Sequence, residues 1–282
     1  MLKVLNPGFY TTIQDAGRFG FREYGVPVSG VMDSYSSQFA NALLGNSDDA
    51  AVLEMTMIGG AFQFSKPTLI AISGAFMEPK LNDEHVRQHM TIQIRANDIL
   101  SFGRATNGFR TYLAVKGGLK SGNTLGSQSQ YKPITKTSVI VKGGILEYSK
   151  YTDSFEKVNA SVKFNDSVFK SNILEAYKGP EFDQLSASQK QLLLSDEFEV
   201  SKLNNRMAYQ LEPLLTNSLK PILTSPVLPG TVQLTPSGQL IVLMRDCQTT
   251  GGYPRILLLT EKAINRLSQR TTQNCVKFRL KV

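Results

Sequence analysis

The chain has 282 residues, enough for one large or two ordinary domains, and its 41% hydrophobic content supports a real core. Its net charge is +8, but the 31 Lys and Arg are scattered singly, which argues against a nucleic-acid tract. Two cysteines make no disulfide framework and point to a reducing, cytoplasmic setting. The opening MLKVLNPGFYTT lacks the apolar core of a signal peptide, and no apolar run nears the roughly 18–20 residues of a membrane helix, so no membrane partner is expected.

The first stretch, NPGFYTTIQDAGRFGFREYGVPVSG, is turn-rich. Asp33 is placed to cap a helix whose apolar stripe is Tyr35, Phe39, Ala42 and Leu43, with Gly45 ending it. Short strands are expected over 51–57, 68–73, 91–95, 99–102 and 110–115, and residues 121–137 are polar and irregular. From 149 to 168 the chain is polar and poor in core signals, and reads as a linker or excursion between an N-terminal half (1–148) and a C-terminal half (169–282). The second half opens on the strand-like ILEAYKGP. Ser186 and Gln189 then form a capping box before a helix ending near Leu194. Strands follow over 197–201, 207–211, 230–235 and 239–245, the last two joined by Pro236, Ser237 and Gly238. RILLLT is another strand, a helix starts after Thr260 with Ala263, Ile264 and Leu267 on one face, and CVKFRLKV alternates as a final strand. The fold class is therefore mostly β with a few helices, in two β-rich, barrel-like or sandwich-like halves.

Several motifs fail. VKGGLKSG imitates a phosphate-binding loop, but Leu119 stands where its glycine should be. There is no G-x-S-x-G elbow. His85 and His89 lack the H-E-x-x-H pattern and a third ligand, so they read as two exposed turn residues, and no metal site is expected. Cys247, without an obvious base, reads as a half-buried strand cysteine.

Two clusters carry more. Gln14-Asp15-x-Gly17-Arg18 packs an amide, a carboxylate and a guanidinium into a glycine-rich turn; it suits an anion, or it is an Asp–Arg pair bracing its own loop. The run Asp246 to Pro254 ends an apolar strand in polar residues and glycines. A wide hairpin turn explains its glycines but not the Asp-x-Gln-Thr-Thr series.

At these clusters the chain resembles the KipA-type family: the C subunit of 5-oxoprolinase, allophanate hydrolase subunit 2 and the matching half of the urea carboxylase carboxyltransferase domain. The matching elements are QDAGR (14–18), GVPVSGVMD (25–33), AN-A-LLGN (41–46), LEMTMIGG (53–60), ISGA (72–75), GFRTYLAVKGG (108–118), LGSQS (125–129), NRMAYQLE (205–212) and GTVQLTPSGQLIVLMRDCQTTGGYP (230–254), in family order. This chain departs from the family at Gln128 and Gln210, which replace the usual arginines, at Asn205, which replaces an acidic residue, and at Ala208 and Asn97, which replace glycines. A GG-x-x-GR segment is also replaced by YKPITKTSVIVKGG.

The resemblance implies a cyclophilin-like β-barrel in one half. It implies a subunit of an ATP-dependent amidohydrolase acting on a cyclic amide C–N bond, opening 5-oxoproline to glutamate and inactive alone. Its implied partners are a KipI-type sister subunit (the B subunit of 5-oxoprolinase) and the TIM-barrel-like A subunit, with ATP and Mg in the complex. Two alternatives remain. One is carboxyl transfer to a urea-like amide, with biotin carried by another chain. The other is a non-catalytic subunit that binds a KipI-type kinase inhibitor. For the site, the resemblance points to Arg18, Arg110 and Arg206 as anion donors. Asp246 would serve as base or hold a metal–nucleotide. Gln248, Thr249 and Thr250 would bond an amide, Gly251 and Gly252 would give it room, and Tyr253 would stack or donate. Residues 246–253 are expected to line the main cleft, whereas Asp33, Asn41 and Asn46 are expected to be architectural.

Overall fold

The structure, a computed structural model, describes residues 1–151 and 162–281. It falls into two compact units, one of residues 1–18 with 29–166 and the other of residues 19–28 with 167–282. The expected mostly-β architecture is what forms.

The first unit is built of two sheets. A five-stranded sheet runs Tyr10–Gln14, Val52–Thr56, Asn107–Val115, Thr68–Phe76, Thr91–Ile94. A seven-stranded sheet has Leu2–Asn6 near its centre, paired with Ile145–Tyr148 on one side and Ala61–Phe64 on the other. Their inner faces share one core, in which Leu2, Val4, Phe62 and Phe64 meet Ile13, Leu53, Ile70 and Leu113. The residues that alternate with these, Val52, Ala71, Tyr112 and Ala114, point the other way and join Ala40 of helix α1 (Ser34–Leu43) and Leu44, which caps its C-terminus, in a second cluster. The five-stranded sheet is thus covered on both faces. That is why Thr68–Phe76 is buried almost throughout rather than at alternate positions.

Some local expectations are corrected. The turn-rich stretch contains the strand Tyr10–Gln14, and another strand, Leu2–Asn6, leads into it. Pro7 and Gly8 punctuate the sequence there, but each flank still buries side chains in the core. On α1 it is Ala40 that is buried and Ala42 that is exposed, because the covered stripe runs through Phe39 and Ala40. Residues 152–161 of the expected linker lie outside the described residues. Beyond them, Phe164 is buried: its ring stacks on His89 at 4.0 Å and meets Phe39 edge-on at 5.1 Å, while the Asn165 amide donates to the Tyr35 hydroxyl at 2.7 Å. His89 is therefore half-buried, not exposed as expected, and burial lowers its pKa; His85 is exposed.

The second unit is a closed barrel of seven strands in the order Ile173–Lys178, Arg255–Leu259, Thr231–Leu234, Leu240–Leu243, Ala208–Glu212, Phe198–Asn204, Cys275–Leu280. The parallel pairing of Ile173–Lys178 with Cys275–Leu280 closes it. In the last strand Val276 and Phe278 face inward, as their alternation with Lys277 and Arg279 requires. Helix α2 spans Ser167–Lys170. Helix α3 (Ala187–Ser195) begins with the expected capping box of Ser186 and Gln189. Helix α4 (Glu261–Ser268), capped by Thr260, buries Ala263, Ile264 and Leu267. Among the described residues no helix is long and apolar enough to cross a membrane.

Candidate functional site

In the first unit the QDAGR turn and the polar loop 124–130 are bound into one piece. The Asp15 carboxylate accepts four hydrogen bonds through its two oxygens. Oδ1 takes the Gly17 amide (2.8 Å) and the hydroxyls of Ser127 and Ser129 (both 2.6 Å), and Oδ2 takes the Gln128 amide (2.6 Å). Arg18, fully buried, donates from Nη2 to the Ser129 carbonyl (2.5 Å) and from Nε to that of Thr124 (3.4 Å). Its guanidinium thus braces carbonyls of its own chain.

A cleft of about 280 Å³ opens beside this clamp. Asp15, Asn123, Gly126 and Gln128 line it. Ser47, Asp49 and Ala50, which follow α1, line it as well, as do Gly117 and Gly118, which follow the long strand Asn107–Val115. Asn46 joins these last elements: Nδ2 donates to the carbonyl of Val115 (2.8 Å) and to Asn41 Oδ1 (3.0 Å), and Oδ1 accepts the Gly117 amide (2.8 Å). Asn41 in turn donates to the Ala50 carbonyl (2.9 Å). Asp33 caps α1 through the Ser36 amide (3.1 Å). Four separated segments, 14–18, 41–46, 108–118 and 125–129, therefore line or brace one polar cleft. Sequence reasoning did not single out its lining residues Asp49 and Asn123, and it met Gly117 and Gly118 only as the end of the matching element 108–118. They are ordinary loop residues until the fold brings them together.

Arg110, two residues from Tyr112 on the same strand, is buried with its Nε 4.0 Å from Glu54 Oε1 and its guanidinium carbon 4.8 Å from the Phe109 ring centroid. Glu54 is held in turn by the Met32 amide (2.7 Å) and the Tyr112 hydroxyl (2.9 Å). Burial, together with the Glu54 charge, pushes the Tyr112 pKa well above the ordinary tyrosine value.

In the second unit Arg206 and Asp246 come together in a buried bidentate pair, Nε to Oδ2 at 2.8 Å and Nη2 to Oδ1 at 3.1 Å. Cys247, expected half-buried on a strand, is fully buried in a turn with Val227 and Leu243, and burial raises its thiol to about 11. Gln248 is half-buried, and its Oε1 accepts no hydrogen bond from the described residues. Thr249 turns its carbonyl to the Val227 amide (3.0 Å) and to Arg22 Nη2 (3.3 Å). Thr250 and Gly251 form a short ladder with Ser225 and Pro226. A Cβ on Gly251 would lie 2.5 Å from Gln233 Nε2, so a larger residue there would have to displace the end of that side chain. The Gly252 carbonyl accepts the Ile222 amide (3.0 Å), and Tyr253 is part-exposed. The loop is thus a braced turn at the end of the apolar strand Leu240–Leu243, with Arg22 as a brace the sequence did not reveal.

A sequence model of the carboxyltransferase domain, subdomains A and B, matches residues 24–280. The chain belongs to that family. It is 33% identical over 279 residues to the C subunit of 5-oxoprolinase from Escherichia coli K12, a match covering 95% of this chain and 87% of that relative. Among solved structures, TTHA0988 is similar with a TM-score of 0.87 and 26% identity, covering 99% of this chain and 55% of that one. The K. lactis urea amidolyase is similar with a TM-score of 0.85 and 26% identity, covering 98% of this chain and 18% of that one. This member of the carboxyltransferase-domain family thus spans about half of the first solved chain and a small part of the second.

Proposed function

We propose that the chain is one subunit of a cytoplasmic, ATP-dependent amidohydrolase of the 5-oxoprolinase type, working with two others, a KipI-type sister and a TIM-barrel-like protein. One observation carries the reading. Four segments singled out by the resemblance meet around one polar cleft, in a chain whose near-full-length relative is the C subunit of a 5-oxoprolinase. A cleft lined by two carboxylates, amides, hydroxyls, small residues and backbone suits a small polar amide.

The cleft does not suit a nucleotide. Its volume lies just below the roughly 300–1,000 Å³ of ligand sites. The arginines expected to meet phosphate are engaged inside the protein: Arg18 by carbonyls, Arg110 beside Glu54, Arg206 by Asp246. Among the described residues no group of three His, Cys, Asp or Glu could hold a metal ion. In this reading ATP and Mg are held by another subunit, and this chain contributes the positioning of the amide.

The test is to purify the chain alone and with its sister subunits, and to measure ATP- and 5-oxoproline-dependent release of glutamate. The complex should turn over and the lone chain should not. Robust turnover by the lone chain, or none by the complete complex, would sink the reading. A second reading, carboxyl transfer to a urea-like amide from biotin on another chain, draws on the urea amidolyase likeness. It predicts transfer activity only when a biotin carrier is supplied.

A further inference from the structure

The cleft of the first unit has a polarity that the charge of the whole chain hides. The chain carries +8, yet among the described residues no Lys or Arg lines the cleft. Its charged lining groups are Asp15 and Asp49. Asp15 is fully engaged by its four donors. Asp49 is exposed, and its carboxylate is bonded to no other described residue. Gln128 lines the same cleft, and its Oε1 accepts from the amide (2.7 Å) and hydroxyl (3.1 Å) of Ser121. Because the Ser121 N–H can only donate, the orientation of the Gln128 amide is fixed, and its Nε2 is the edge left for a ligand. The rest of the wall is short: Ala50, Ala51 and the pair Gly117–Gly118, whose φ angles of +77° and +73° exclude a side chain without strain.

We propose that this cleft recognises the uncharged edge of a small amide or ureide, with the ligand N–H donating to the Asp49 carboxylate and its C=O accepting from Gln128 Nε2. This inference rests on the reading of the cleft as the amide site, and it adds a selectivity. A ligand carboxylate would find no cation there, and would face two aspartates. The anionic end of a substrate such as 5-oxoproline then takes its cation from a partner protein, and this chain on its own prefers the neutral amide.

The experiment titrates the purified full-length chain with 2-pyrrolidinone, urea and 5-oxoproline near pH 7, following ligand signals by saturation-transfer NMR and affinity by calorimetry. 2-Pyrrolidinone should bind about tenfold or more tighter than 5-oxoproline, which differs from it by the carboxylate. Gln128→Arg should reverse that preference. Asp49→Asn, at an exposed position that folding tolerates, should weaken 2-pyrrolidinone and narrow the gap. The inference is overturned if 5-oxoproline binds the unaltered chain as tightly as 2-pyrrolidinone, if neither binds, or if both variants leave both affinities unchanged. The complex assay separates the two ideas. Glutamate release with an indifferent cleft keeps the proposed function and removes this inference. Selective amide binding without glutamate release does the reverse.

Discussion

Asp15 offers the sharpest test of how the cleft is held. Asp15→Ala removes the acceptor of four hydrogen bonds at a carboxylate only 9% exposed. The two serine hydroxyls can rotate towards other acceptors, but the amides of Gly17 and Gln128 cannot. A buried donor left unpaired costs about 1–3 kcal/mol, so the two together cost about 2–6 kcal/mol and, with local relaxation, about 3 kcal/mol. With a urea slope of about 1–3 kcal/mol per molar, the midpoint for the first unit should fall by about 1–3 M at unchanged slope. Asp15→Asn keeps one carboxyl oxygen. It can serve either the Gly17 side or the Gln128 side but not both, and should lose about half as much. Hydrogen exchange supplies the local readout: the Gln128 amide should lose protection in the alanine variant. If Asp15→Ala moves the midpoint by less than about 0.3 M and the Gln128 amide stays protected, loop 124–130 is held by its own turns and the clamp reasoning fails.

Three further outcomes are expected. Asp33→Ala removes the cap of α1 and should cost about 1–2 kcal/mol in urea unfolding, while Asp33→Ser should recover most of it; equal losses would show that Asp33 does more than cap. Arg206→Ala should cost about 3–5 kcal/mol by stranding the Asp246 charge, and Arg206→Met with Asp246→Leu should restore most of it; a single variant costing under about 1 kcal/mol would refute the pair's structural weight. His89 has its folded pKa lowered by burial, so the neutral ring is favoured in the native state. Its contribution is present above the unfolded value of 6.5 and is lost as pH falls through the folded value. Comparing the urea midpoint at pH 7.5 and pH 5, His89→Phe should lose less stability on acidification than the unaltered chain; an unchanged pH dependence would remove His89 from the account.

What is legible in the sequence is local. Ser186 and Gln189 read as a capping box because both halves of that device lie within three residues, and the structure contains both bonds. The final strand reads correctly because its period-two alternation places Val276 and Phe278 on one face whatever the rest of the chain does. Tyr10–Gln14 is hidden because Pro7 and Gly8 upstream and Gly17 downstream dominate a short window, while the case for the strand lies in its register against Val52–Thr56. The cleft is the extreme case. Its clamp joins Asp15 to Ser127 across 112 positions, and the rest of its lining needs Ala50 beside Gly118.

The arginines show why site chemistry is harder to read than fold. A guanidinium in a glycine-rich turn offers the same five donors to a ligand phosphate, a carboxylate or a carbonyl of its own chain. Sequence spacing does not separate these acceptors, and burial does. Arg18, at 0% exposure, donates to the carbonyls of Thr124 and Ser129, and Arg206 finds its carboxylate 40 residues away at Asp246. Engaged in this way, each is worth more as an internal brace than as a ligand donor, since freeing it would strand a buried partner. It follows that loss of activity in Asp246→Asn would not by itself identify a base. The same change leaves the Arg206 charge buried without its counterion, so the variant must be compared with Arg206→Ala. If both lose turnover in proportion to lost stability, Asp246 is architectural. If Asp246→Asn loses turnover while its urea midpoint stays put, the carboxylate itself takes part in the chemistry.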